Sequence, residues 1–470
     1  MGISQLSAKR LDCCCPPGRI VVVVGLIGLG WLLGCGPSVE LSEQAQPLAI
    51  LHRDPLEEGP GEDCWPGFRG WNVQGVAPEA NPPIQFSPSV ACRWKILLPG
   101  RGNSSPVVWK DRIFLTTALE EENPVRLLVL CLHRSDGRLL WQREAGTARG
   151  STHPKNGYAS ASAATDGQYV VVFFGPLGLL CYDMDGRPIW HKDLGPLEHP
   201  WGTASSPVIW EDLVIQLADV GHGAAISSSL VTVRKKDGRT VWQTPRDSYG
   251  SWSTPVIIQT TGPNGKLRTE ILINGAGHAQ AEGRILAGYD LQTGQELWRV
   301  TGLTEWVAPS VVLGGGCIYS MCGRNGPIQA IRPGGQGDIT QSHLVWRRSF
   351  GGPYIPTGIF YRNRLYVVTE PGFLTCYNAG SGEQIWRIRL RDTFTASLVA
   401  AAGRIYATAE SGRVYVLAAG DKPKLVATND LEDSPCLATP AIAGNDLLVR
   451  TQRYLYCFSA DSSASSARSP

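Results

Sequence analysis

The chain has 470 residues, with 43 Lys and Arg against 41 Asp and Glu, and only 18% of its residues are charged. A formal net charge of +2, with no basic stripe interleaved with aromatics, argues against nucleic acid as a partner. The 54 glycines, 33 prolines and 15 tryptophans suit a turn-rich β-protein with a large core.

The first predicted element is an export signal. Lys9, Arg10 and Arg19 precede an apolar run from Ile20 to Leu33, about 14 residues, which is short for a membrane span and suited to a secretory h-region. The run ends in Leu32-Leu33-Gly34-Cys35, which resembles the bacterial lipobox and so implies cleavage before Cys35 and lipidation of its thiol. An uncleaved N-terminal anchor is the alternative. Gly36 follows, not Asp, so the inner-membrane retention signal of enterobacteria is missing, and the resemblance implies the periplasmic face of the outer membrane. Residues 1–34 are thus assigned to the signal and 35–63, rich in Glu, Gln, Pro and Gly, to a flexible tether.

From residue 64 to 460 one unit recurs about eight times. It opens with a small-residue step, Ser105-Pro106, Ser206-Pro207, Thr254-Pro255 and Thr439-Pro440, with looser copies at Ser162, Ser310, Thr357 and Ser397. Two alternating strands joined by a tight turn follow, as in Arg404 to Thr408 and Arg413 to Ala418 around Ser411-Gly412. A turn with glycine at Gly137, Gly186, Gly238, Gly294 or Gly382, where positive φ is cheap for that residue, then leads to a closing tryptophan four positions later. Trp141, Trp190, Trp242, Trp298, Trp346 and Trp386 lie 40 to 56 residues apart, the period of a four-stranded propeller blade. Each is expected to wedge between neighbouring blades, which must stack to bury their faces. The penultimate copy has Lys424 to Ala427 in place of its tryptophan strand, and the last stops near Ser459 after three strands. Ala91 to Leu98, carrying Trp94, supplies the missing strand and closes the ring. The expected fold is all-β: an eight-bladed propeller of four-stranded antiparallel blades, followed by a disordered Ser-rich tail at 461–470.

The stretch Asp290 to Trp298 resembles the tryptophan-docking repeat of quinoprotein dehydrogenases, and Trp65-Pro-Gly-Phe-Arg-Gly70 is similar to the WPxFRG opening of bacterial PQQ-like repeat proteins. Over roughly residues 64 to 460 the chain resembles the PQQ-like β-propeller superfamily, which includes the BamB lipoproteins. That resemblance specifies the fold far more strongly than the chemistry, because one propeller hosts many functions. It implies either a scaffold or ligand-binding module at the cell envelope, with envelope proteins as partners and the membrane reached through the lipid, or a PQQ-dependent oxidoreductase; an uncharacterised enzyme using His153 and Lys155 at the channel mouth is a further alternative. Against the second, the only adjacent cysteines are Cys13, Cys14 and Cys15 in the presequence, and Asp219 alone is too little for a calcium site. No cofactor and no metal site are therefore expected.

The remaining cysteines divide in two. Cys131, Cys181, Cys376 and Cys457 fall at one equivalent place in the repeat and read as buried small hydrophobes. Cys317 with Cys322, or Cys64, Cys92 and Cys436 among themselves, could form disulfides in an exported protein.

Loops entering the innermost strands converge on one mouth of the channel. Tyr158, Trp201, Trp252, Trp306, Tyr354 and Phe394 stand just ahead of the small-residue step in six successive repeats, which predicts an aromatic collar. His153, Lys155, Asn156 and His199 join it, as do Arg101, Asn103 and, from loops further along each blade, Asp219, His222, Asn274, His278 and Arg324. The collar reads either as a pocket for a small planar molecule, a saccharide or an extended peptide, or as packing of the channel wall. Thr152 to Ser160 is the least explained stretch, since its His, Lys and Tyr exceed what a turn needs.

Overall fold

The computed structural model describes residues 39–41, 60–149, 152–221, 227–276, 284–304 and 307–460. The export signal, Cys35, Trp306, His222, His278 and the C-terminal tail lie outside them. Eight antiparallel sheets form blades I to VIII, seven of them spanning 107–148, 164–192, 208–245, 256–303, 312–348, 359–389 and 399–430. Blade VIII takes three strands from 441–459 and its fourth from Cys92–Leu97, paired through Cys457 opposite Trp94. The closure expected from Trp94 is therefore the one observed. Val39–Leu41 adds a strand to the outer edge of blade V.

Each closing tryptophan stands opposite a small residue of the third strand, with a register shift beside it: Cys131 faces Trp141, Cys181 faces Trp190 and Cys376 faces Trp386. Larger residues would displace the indole, which is why cysteine repeats there. The indole N–H then reaches into the next blade, Trp94 donating to Arg134 O at 2.8 Å, Trp141 to Met184 O at 2.9 Å and Trp346 to Ala379 O at 2.8 Å. The turn glycines have two jobs. Gly137, Gly186 and Gly382 have φ of 73°, 77° and 73°, and a Cβ on any of them would lie 2.6 to 2.8 Å from the indole of the preceding blade. Trp298 departs from the pattern: its N–H donates to Glu270 Oε2 of its own blade at 2.6 Å.

The small-residue steps form a belt around the axis. The backbone N–H of Ser105, Ser162, Ser206, Thr254, Ser310, Thr357 and Ser397 each donates to the hydroxyl of the corresponding residue in the following blade, at 2.8 to 3.1 Å. Serine or threonine is needed because the strand starts at an inner edge where no backbone acceptor is available. Proline is tolerated next because an edge position has no ladder bond to lose.

Inner strands leave free edges along the channel, and residues 62–77 cover them. Cys64–Trp65 pairs with the inner strand of blade I and Val76–Ala77 with that of blade VII. Thr165 N of blade II donates to Pro66 O at 2.8 Å, and Trp71 stacks on Trp210 of blade III at 6.1 Å. Asn72 donates to Ile257 O and accepts from Ile257 N in blade IV, and Leu313 N of blade V donates to Gln74 Oε1 at 2.7 Å. Arg69 donates to Gly358 O of blade VI at 2.9 Å, and Gly444 N of blade VIII donates to Glu62 O at 2.6 Å. One short segment thus touches all eight blades and plugs the channel. Its tryptophan and glycine are matched: at Gly70, with φ 73°, a Cβ would lie 2.7 Å from the Trp65 indole.

All nine cysteines from Cys64 onward are free thiols, so the two sets of disulfides considered above do not form. Burial pushes the Cys131, Cys376 and Cys436 thiols up to about 12, which leaves them neutral and inert.

Candidate functional site

Chain direction places the loops that enter inner strands, and the turns between second and third strands, on the rim opposite the plug's end of the channel. Across this rim runs the segment His153 to Tyr158. Lys155 Nζ donates to both oxygens of Glu410, at 2.8 and 2.9 Å, joining the loop before blade II to a turn of blade VII. Glu410 also accepts from Thr395 Oγ1 at 2.6 Å. The strap is held at its other contacts by backbone groups: Asn103 donates to Lys155 O at 3.1 Å, and Arg101 donates to Pro154 O while pairing with Glu120 at 3.2 Å. His153 Nδ1 accepts from Lys155 N at 3.2 Å, so it shapes the turn. Asn156 donates to Trp201 O at 2.5 Å and accepts from Ser160, and Tyr158 OH donates to Arg149 O at 2.8 Å.

Beside the strap, His199 lies edge-on to Trp252 with ring centroids 4.9 Å apart, and 5.7 Å from Trp201. The two indoles are 6.0 Å apart, and Trp252 Nε1 donates to Gly202 O at 2.8 Å. Gly250 is required here because a Cβ would lie 2.5 Å from His199 Nε2. Beneath it a buried pair, Arg246 Nε to Asp219 Oδ1 at 3.1 Å, is completed by Ser248 Oγ and Ser251 N on Asp219 Oδ2. With both side chains 1% exposed, removing one partner would leave an uncompensated charge, so this pair fixes the backbone that carries Trp252.

A second group forms between blades V and VI. The Arg324 guanidinium lies 4.7 Å from the Tyr354 ring, and Ile355 N donates to Glu370 Oε1 at 2.5 Å. Burial raises the Glu370 carboxyl above its ordinary range, in spite of the backbone donors and Arg324. A carboxyl raised on folding binds its proton more tightly in the native state, so stability falls as pH rises through the carboxylate range. Glu370→Gln is expected to flatten that slope in thermal melts between about pH 4 and pH 7.

The collar expected from the sequence is thus divided. Trp201, Trp252 and His199 form one cluster, Tyr354 joins Arg324 in another, and Phe394 is no part of the mouth. It is fully buried with Leu374 and Leu398 and against Tyr415, with centroids 6.0 Å apart, since a phenyl ring has no polar edge to keep at the surface. Asn274 is likewise spent internally, donating to Pro309 O and Met321 O and accepting from Ser320 Oγ. Sequence reasoning missed Glu410, whose Ala409-Glu-Ser-Gly412 setting reads as an ordinary turn, and Arg246 and Glu370, which no spacing singles out.

A plugged eight-bladed ring with tryptophan-docked blades defines the PQQ-like class of β-propellers. Residues 89–218, 126–305 and 281–427 match the family model described as outer membrane protein assembly factor BamB, and the chain belongs to that family. No curated protein is significantly similar to it in sequence. Among solved structures it resembles BamB from Moraxella catarrhalis at 13% identity and a TM-score of 0.56, over 79% of this chain and 97% of that one. A europium-containing methanol dehydrogenase aligns at 12% identity and a TM-score of 0.63, over 83% and 90% of the two chains. The quinohemoprotein alcohol dehydrogenase of Comamonas testosteroni aligns at 12% and 0.62, over 87% and 83%. At these identities the likeness is one of fold.

Proposed function

We propose that this protein is an exported envelope lipoprotein whose propeller serves as a scaffold or ligand-binding module, with the strapped mouth as its binding surface. The observation that carries the reading is the arrangement of that mouth. A cross-ring ion pair, Lys155 to Glu410, holds the strap over the channel, while His199, Trp201 and Trp252 are gathered beside it on a backbone fixed by Asp219 and Arg246. Such a surface offers flat apolar faces and a breakable charge pair to a saccharide, a planar molecule or an extended peptide. The family description supports envelope proteins as partners.

The same geometry speaks against PQQ in this chain. Asp219 is committed to Arg246 and Asn274 to three internal partners, so neither is available to a cation beside a quinone. Residues 62–77 further occupy the axis on the opposite side.

Lys155→Ala and Trp201→Ala are each expected to weaken binding of the mouth's ligand by more than about 1 kcal/mol while leaving the melting temperature nearly unchanged. Thermal-shift titration of the parent against PQQ, oligosaccharides and peptides from outer-membrane β-barrels identifies the probe, since a ligand selective for the native state raises its stability. If the parent binds none of these, or if both variants bind like the parent, the mouth is wall packing and the binding reading fails. For the anchor, Cys35→Ala is expected to abolish incorporation of labelled fatty acid and to block processing or release the protein from membranes. Unchanged labelling and unchanged size would reject lipidation.

A further inference from the structure

Blade VI ends in an outer strand, Gln384–Arg389, whose outward edge is paired with no described strand. An edge strand presents unpaired N–H and C=O groups on which another chain can build. Outer edges of this ring do take added strands: Val39–Leu41 pairs antiparallel on blade V, and Gly337–Asp338 pairs parallel on blade IV.

What separates blade VI from its neighbours is a pair of arginines on one face of its outer strand. Arg387 and Arg389 stand on one face of the strand, opposite Thr375 and Phe373, and Arg391 follows just beyond its end. All three are exposed. The guanidinium carbons of Arg387 and Arg389 lie 4.0 and 5.4 Å from the Phe373 ring centroid, which holds both stems against the sheet. The neighbouring acids are engaged elsewhere, Asp392 by Ser411, Arg413 and Tyr415, and Glu383 by Ser381. At the corresponding places blade V carries Arg347 and Ser349, blade VII carries Thr428 and Asp430, and blade I carries Gln142 and Glu144, so the doubled arginine is no requirement of the repeat.

We propose that this edge is a docking site for an extended acidic segment of a partner protein, added as a further strand with carboxylates at alternate positions. Side chains along a strand repeat every second residue, about 6.6 to 6.8 Å apart, so an acidic residue at every second position of an added strand faces Arg387 and Arg389 in turn. Opposite charges placed directly across a pair of strands stabilise it, and backbone pairing along the edge supplies the rest of the affinity. The site lies on the outside of the ring and is independent of the mouth.

The test uses the parent protein and two fluorescent peptides of identical composition, one alternating Glu with Thr and the other carrying its Glu residues in one block. Anisotropy titration is expected to show the alternating peptide binding at least about tenfold more tightly. Arg387→Glu with Arg389→Glu is expected to remove that binding and to accept a peptide alternating Lys with Thr in its place, with the melting temperature held because both positions are exposed. Should the charge reversal destabilise the strand, Arg387→Gln with Arg389→Gln serves the same purpose. Equal affinity for the two acidic peptides, retention of acidic-peptide binding by the substituted proteins, no binding of either peptide at about 1 mM, or a preference for anionic phosphatidylglycerol vesicles over the peptides would each overturn the proposal.

Discussion

A chain beginning at residue 82 is expected to lose its cooperative fold, although it keeps every strand of the eight blades including the closing strand Cys92–Leu97. Among the described residues such a chain lacks the added edge strand Val39–Leu41 of blade V and the plug. Trp65, Val73 and Val76 are buried there at 2%, 4% and 7% exposure, and their removal costs about 1.5 to 3 kcal/mol each by area alone, with more for the indole. Loss of the polar contacts is as serious. Asn72 and Gln74 satisfy backbone groups of Ile257 and Leu313 that otherwise line an open channel, and the strand pairs on blades I and VII disappear with them. The sum is on the order of the whole stability of a domain. Insoluble expression, or a broad thermal transition at least about 15 °C below the parent, is the expected result. A soluble chain from residue 82 that melts as sharply and as high as the parent would show that the blades need no plug. Arg69 adds a finer point. Its guanidinium is wholly buried without a carboxylate, and burial alone lowers it to about 9, a cost that only a fixed plug would tolerate.

Removing one docked tryptophan should be nearly as damaging. Trp346 is fully buried, donates to Ala379 O at 2.8 Å and rests on Gly382 of the next blade. Trp346→Ala is expected to lower the free energy of unfolding by about 3 to 5 kcal/mol, through lost burial and the cavity left behind. Gly382→Ala acts on the same contact from the other side, by placing a methyl 2.6 Å from the indole in a residue with φ 73°. Since the two residues touch, the double substitution should cost clearly less than the sum of the singles, because without the indole the new methyl meets empty space. Urea unfolding of the four proteins measures this coupling. Strict additivity would mean that the blades are not joined at this point. Trp298 offers a contrast, since its N–H serves Glu270 inside blade IV. There Trp298→Phe should leave blade docking intact and act by unpairing one oxygen of a buried carboxylate.

The repeat, the number of blades and the closing strand were all legible in the chain, and each for a local reason. A hydroxyl at the step marks each blade, and in five of them a tryptophan with a glycine four residues earlier marks its end, because the same short-range geometry recurs there. Trp94 could be placed in blade VIII because a blade without its fourth strand leaves an exposed edge, a rule that holds whatever the distance along the chain. The repeated cysteines were readable as small buried residues for the same reason, although their partner, the facing indole, was not.

What the tertiary structure alone decided lies across the ring. Lys155 and Glu410 are separated by 255 residues, and nothing in either neighbourhood marks the other. Phe394 shares its place in the repeat with Trp252, yet it packs into the core with Leu374, Leu398 and Tyr415, so a common position in the repeat did not mean a common direction. The opening Trp65 to Gly70 shows the division most clearly. Its residues resemble a family motif, but the pairing of Trp65 with Gly70 and the reach of the segment to eight blades depend on a channel that exists only once the ring has closed. Local periodicity follows from the backbone and is written in every repeat; contacts made once, between residues brought together by closure, leave no period to read.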